Sequence, residues 1–139
     1  MAMAAHFRDL RVYRMAFDAA TRVFELSRSW PKEEKYALTD QLRRSSRSVC
    51  GNIAEAWRKR RYEAHFRSKL TDADSEAAET QTWLDFAKQC GLLTEEDHAD
   101  LDERYERISG GLVKMMHEAD RWCIPFDTVS EDGVPDDSD

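Results

Sequence analysis

Glycine and proline are scarce in this chain, five and three residues out of 139. That scarcity disfavours a strand-and-turn fold and points to helices. Long hydrophobic runs are missing too. Uninterrupted apolar stretches last only a few residues, far short of the roughly 20 needed to span a bilayer, so no membrane partner is expected. The opening residues MAMAAHFRDLR lack a basic segment followed by an apolar stretch, so no secretory signal is expected either. Cysteine is limited to Cys50, Cys90 and Cys123, an odd number without CxxC or metal-ligand spacing. All three sit in helical patterns, so buried free thiols in a reducing cytoplasm are the expectation.

Charge is abundant but unevenly placed. The formal net charge is −7. Six of the 28 acids (Asp127, Glu131, Asp132, Asp136, Asp137 and Asp139) lie after Ile124 in a stretch with no base. Without them 22 acids face 21 bases, so residues 1–124 are close to neutral. Residues 125–139 read as an acidic, disordered tail. The length of the rest suits one domain with a real core.

Apolar periodicity marks four helices, at roughly 7–28, 32–61, 63–90 and 95–123. The first carries two neighbouring stripes: Leu10, Tyr13, Phe17, Ala20 and Phe24, then Val12, Ala16, Ala19, Val23 and Leu26. So wide a face predicts burial on two sides, inside the domain and against another subunit. Pro31 suits the first turn of the second helix. The third has a heptad stripe of Phe66, Leu70, Ala73, Ala77, Thr80, Leu84 and Ala87, and Gly91 is placed to end it. Thr94 to Asp97 resembles a capping box for the fourth, which contains Gly110-Gly111 and the apolar set Leu101, Tyr105, Ile108, Leu112, Met115, Ala119 and Trp122. Short connections between long helices predict an all-α fold, an antiparallel up-down-up-down four-helix bundle.

The second helix holds the candidate sites. From Arg43 to Lys69 nine bases face only Glu55 and Glu63, whereas from Asp72 to Glu106 twelve acids face only Lys88 and Arg104. At about 100° per residue, Arg43, Arg47, Arg58 and Arg61 fall within roughly 60°, with Arg44 nearby. The run Arg58-Lys59-Arg60-Arg61 continues this stripe. Such a face can track phosphates, and Trp57, Tyr62 and His65 beside it could stack on bases. A protein-facing or simply solvated surface is the other reading. A second stripe, Gln41, Ser45, Ser48, Asn52 and Glu55, borders the apolar side. It reads as a structural polar seam, because buried amides and carboxylates must find partners and so fix register.

No catalytic constellation emerges. Glu95-x-x-His98 matches half of a di-metal bundle motif but has no second copy, and capping plus a surface histidine account for it. His6, His65 and His117 are scattered. No glycine loop cradles a phosphate. Ser45, Ser46 and Cys50 have no base at a telling spacing. No enzyme activity, cofactor or metal is expected.

Taken in order, FRDLRVYRMAF, WPKEEKYALTDQLRRSSRSVCGNIAEAWRKRR and SEAAETQTWLDFAKQCGLL resemble the 23S rRNA intervening-sequence proteins, over roughly residues 7–122. The more specific parts are Pro31, Glu34, Tyr36, Leu38-Thr39, Gln41-Leu42-Arg43-Arg44 and Asn52-Ile53-Ala54-Glu55. The resemblance implies a four-helix bundle. It also implies a setting in reading frames inserted in bacterial large-subunit rRNA genes or elsewhere in genomes. A related branch includes the accessory protein of diversity-generating retroelements, a homopentameric barrel with a basic surface that binds nucleic acid and a reverse transcriptase. By that resemblance a homo-oligomer, specifically a homopentamer, is implied here. Two departures stand out. Ala56 replaces a glycine common in the family and Trp57–Arg61 fills the following turn, so a more helical and more basic connection is expected. Asp74-Ser75 stands where Gly-Ser is common. The expected function is therefore non-enzymatic binding of RNA or DNA through Arg43, Arg44, Arg47, Arg58, Lys59, Arg60 and Arg61. The alternative is a protein-interaction scaffold, or an accessory subunit of a nucleic-acid enzyme.

Overall fold

In the computed structural model, which describes residues 4–124, every regular element is helical and no strand occurs among the described residues. The acidic tail read at 125–139 lies outside them. A 3₁₀ turn at Phe7–Asp9 comes first, capped by His6, whose Nδ1 accepts from the Arg8 N–H while Asp9 accepts from the His6 N–H. Four long helices follow: α1 (Arg11–Ser27), α2 (Asp40–Arg58), α3 (Glu63–Gln89) and α4 (Glu95–His117). A single-turn α5 (Ala119–Trp122) follows these.

The sequence reading placed the second helix at 32–61, and the structure revises it at both ends. After Pro31 the chain makes a 3₁₀ turn (Lys32–Glu34) and then a π-helical turn (Lys35–Thr39) before α2 begins. The wider turn places Leu38 and Thr39 in the interior. At the far end residues 59–62 form a turn, with the Tyr62 N–H bonded to the Lys59 carbonyl at 3.0 Å. The connection is thus less helical than the substitutions at 56–61 suggest. The fourth helix is also broken, at Glu118.

Ends are set by local chemistry. Gly91 takes φ +77°, which a side chain would strain. With Leu92 N–H bonded to the Ala87 carbonyl and Gly91 N–H to that of Lys88, α3 closes in a Schellman motif. The Thr94 hydroxyl oxygen accepts from the Asp97 N–H at 3.0 Å, capping α4. The Asp97 carboxylate reaches Arg22 of α1 at 3.4 Å.

One interior joins the four long helices. The buried residues of α3 are the heptad stripe Phe66, Leu70, Ala73, Ala77, Thr80, Leu84 and Ala87. They meet Leu42, Val49, Ile53 and Trp57 of α2 and Leu101, Tyr105, Ile108 and Leu112 of α4 in one core. Between α2 and α3, Ser45 meets Thr80 and Glu55 meets Lys69. Between α3 and α4, Asp85 meets His98, Gln81 meets Asp102 and Asp74 meets Ser109. Between α1 and α4, Arg22 meets Asp97 and Val12 lies against Gly111. In each pair the numbering rises along one helix as it falls along the other.

Gly110 and Gly111 differ in consequence. A Cβ on Gly111 would stand 2.5 Å from Cγ1 of the buried Val12, whereas one on Gly110 would meet nothing within 4 Å. Gly110→Ala is therefore expected to stabilise by about 1 kcal/mol through helix propensity alone. Gly111→Ala should fall about 1–3 kcal/mol below it through overpacking. Urea midpoints of the two variants check both signs.

Candidate nucleic-acid interface

The basic residues of α2 divide according to which neighbour they face. Arg43 and Arg47 lean toward α1. The Arg43 guanidinium lies 4.9 Å from the Phe24 ring centroid and donates from Nε to the Ser27 hydroxyl at 2.8 Å. Arg47 lies 5.9 Å from the same ring, and Arg28 of the α1 terminus 5.8 Å. Phe24 is itself exposed, so three guanidiniums surround one surface aromatic, an arrangement favoured by the ring quadrupole. Among the described residues none of these three arginines pairs with a carboxylate. One end of the groove repeats the pattern, with Arg58 and Arg8 at 5.8 and 4.7 Å from Phe7. Between the two clusters, Tyr13, Phe17, Ala20, Thr21, Phe24, Arg47 and Cys50 line a depression of about 350 Å³.

The other expected contacts fare differently. Arg44 turns to α3, where Glu76 and Glu79 hold its guanidinium. Arg60 is a correction. It is 6% exposed, its guanidinium lies 3.9 Å from the Trp57 ring centroid, and it donates to the Trp57 carbonyl at 2.8 Å. It packs in the interior rather than on the basic face. Lys59 is exposed beside His65, and Arg61 is half-buried. Of the three aromatics read as stacking groups, Trp57 is buried, while Tyr62 and His65 are exposed with ring centroids 5.5 Å apart. Phe7, Phe24 and Arg28 were missed as site residues. Of these, Phe24 was visible in the excess apolar stripe of the first helix, whereas Phe7 and Arg28 lie just outside α1 and belong to neither stripe.

The polar seam runs along the α2–α3 side. Ser45 is buried and accepts from the Thr80 hydroxyl at 2.8 Å. Asn52 donates to the carbonyl and hydroxyl oxygens of Ser48, and Gln41 is half-buried. Glu55 is exposed and pairs with Lys69 at 2.7 Å. The bond from Glu55 is the main cause that raises the Lys69 ammonium above its ordinary pKa, with Asp72 adding to it.

Beyond this geometry, the family model of the 23S rRNA-intervening sequence protein matches residues 8–114. The chain belongs to that family. The match to this intervening-sequence family takes in α1, α2, α3 and most of α4, and with them the arginine–aromatic groove apart from Phe7. A solved structure from Bacteroides thetaiotaomicron VPI-5482, described as a protein of unknown function from the S23 ribosomal protein family, is similar at 27% identity and TM-score 0.69. It covers 76% of this chain, which covers 95% of it. No curated protein matches the chain.

Cys50 in the groove is a poor nucleophile. Burial pushes its thiol up to about 11, so it stays protonated at neutral pH, where the thiolate is the reactive form. Cys90, expected to be buried, is exposed just past the end of α3, and Cys50 and Cys123 are only partly buried. Iodoacetamide at pH 7.5 is therefore expected to label Cys90 well before Cys50, as peptide mapping would show.

Proposed function

We propose that this protein is a non-enzymatic, cytoplasmic, antiparallel up-down-up-down four-helix bundle that self-associates and binds RNA or DNA through the α1–α2 face. The opposed running of the α2–α3, α3–α4 and α1–α4 contacts supports the bundle. Among the described residues, no helix is long and apolar enough to cross a membrane. The observation that carries the binding reading is the cluster of Arg28, Arg43 and Arg47 around Phe24, with no carboxylate among the described residues on any of the three. Guanidiniums hold phosphates, and the exposed ring offers a stacking face to a base. Arg58, Arg8, Lys59 and Arg61 extend the track. Contacts of this kind are electrostatic and carry little sequence information. Self-association draws on the exposed Phe17 of α1, and the pentameric number on family resemblance alone.

The test is an anisotropy titration with labelled RNA, single-stranded DNA and duplex DNA at two salt concentrations. Four phosphate contacts on a single strand would give a slope of about −3 in log K against log salt. Absence of binding at low salt would overturn the reading. Phe17, 55% exposed, favours one alternative, a protein-facing scaffold or accessory subunit. A partner retained through nuclease treatment would point there. Sedimentation checks self-association, and a monomer at tens of micromolar would refute it.

A further inference from the structure

On the α3–α4 side lies a group of residues that the basic groove does not use. His98, in the first turn of α4, was expected at the surface, yet its side chain is only 15% exposed. Its Nε2 lies 2.7 Å from Oδ1 of Asp85 on α3. Asp102 stands one turn further along α4, on the same face as His98. One ligand atom from each of Asp85, His98 and Asp102 falls within 4.8 Å of the other two. Gln81, one turn before Asp85, donates from Nε2 to Asp102 at 3.1 Å and to Glu106 at 2.9 Å.

An imidazole with two carboxylates is a nitrogen–oxygen donor set of borderline hardness. It suits zinc-class ions better than calcium or magnesium, which prefer all-oxygen shells. Such an ion holds its ligands at about 2.0–2.2 Å, so ligand atoms on one ion stand roughly 3.0–3.5 Å apart. His98 and Asp85 stand at 2.7 Å and all three donors lie within 4.8 Å of one another. Small rotations convert that spacing, and Asp85, whose side chain is 67% exposed, can make them. Gln81 fixes the Asp102 carboxylate as an outer-shell partner does. Glu106 adds negative charge, while Lys88 and Arg22 are engaged by Glu95 and Asp97. The sequence could not reveal the set, because only the pairing of α3 with α4 brings Asp85 to His98.

We propose that Asp85, His98 and Asp102 bind one divalent transition-metal ion of the zinc class, with water completing its shell, and so clamp α3 to α4 near their connecting turn. The test uses the full chain, stripped with a chelator and desalted, titrated with Zn²⁺ by calorimetry and with Co²⁺ by visible absorption. One ion per chain with Kd of about 10 μM or tighter is expected, with cobalt bands of a low-coordinate site. At on the order of a hundredfold excess of Zn²⁺ over Kd, Tm should rise by several degrees. His98→Ala and Asp102→Asn should each weaken binding at least about tenfold, whereas His65→Ala and His117→Ala leave it unchanged. Asp85→Asn changes an exposed, isosteric side chain, so it reports on binding even where an α4 variant fails to fold. No saturable binding below about 100 μM, or binding equally strong in His98→Ala and Asp85→Asn, overturns the site.

Discussion

Reversal of Arg28, Arg43 and Arg47 to Glu is expected to lower affinity for labelled single-stranded RNA or DNA by more than about 100-fold at low salt. The salt slope should become shallower by about 2, because three phosphate contacts are removed and each contributes about 0.7 on a single strand. The helices should survive. Arg28 and Arg47 are exposed and Arg43 is half-buried, and Arg and Glu have similar helix propensity. One local cost is expected: Ser27 is buried and loses the bond from Arg43 Nε, worth about 1 kcal/mol. The triple Gln variant separates charge from repulsion, and should show the same change in slope with a smaller loss of affinity. Two single variants serve as internal contrasts. Arg44→Gln should leave the slope unchanged, because Glu76 and Glu79 already hold that charge. Arg60→Gln should also leave it unchanged while lowering stability, because its guanidinium lies against Trp57. A slope that responds equally to all five arginines would mean that binding follows overall charge rather than this groove.

The contrast between Arg43 and Arg60 shows where reading the sequence stops. A helical wheel separates apolar from polar positions, and that was enough to find the interior of α3 residue by residue and the buried stripe of α1, Val12, Ala16, Ala19 and Val23. It also placed Arg43 and Arg47 on one side. The wheel fails once the helix ends. Arg60 lies in a run of four bases that reads as one surface, but α2 stops at Arg58 and the following turn folds Arg60 over a tryptophan. Nor does a wheel say which exposed positions have partners. Arg44 and Arg43 are adjacent in sequence, yet one meets two glutamates and the other a phenylalanine, because different helices flank the two sides of α2. The π-helical turn at Lys35–Thr39 has no sequence signal in propensity or spacing. The π turn re-phases Leu38 relative to a plain helix begun at Pro31. His98 was misjudged for a related reason: its environment is made by a residue 13 positions earlier, on the far side of a turn.

Trp57 separates the two roles that a tryptophan beside a basic run can play. It is 6% exposed, meets the Trp122 ring edge-on at 6.5 Å and 69°, and lies under the Arg60 guanidinium. The Arg60 carbonyl in turn accepts from the Ile124 N–H at 3.2 Å. The indole therefore joins the end of α2, the following turn and the C-terminal segment around α5. Trp57→Ala is expected to cost about 3–5 kcal/mol, a large part of the 5–15 kcal/mol typical of a small domain. Urea unfolding followed by far-UV circular dichroism measures this, since the substitution also removes a fluorophore. Trp57→Phe keeps an aromatic in place and should lose about 1–3 kcal/mol. Arg60→Met, which keeps an apolar stem over the ring, should cost less than Arg60→Ala. A base-stacking tryptophan would give the opposite signature, weakened nucleic-acid binding at unchanged stability. If Trp57→Ala shifts stability by less than about 1 kcal/mol, residues 119–124 are not docked on the end of α2. The interior position of Arg60 would then fall with it, and the basic run 58–61 would return to the surface as a full set of four phosphate contacts.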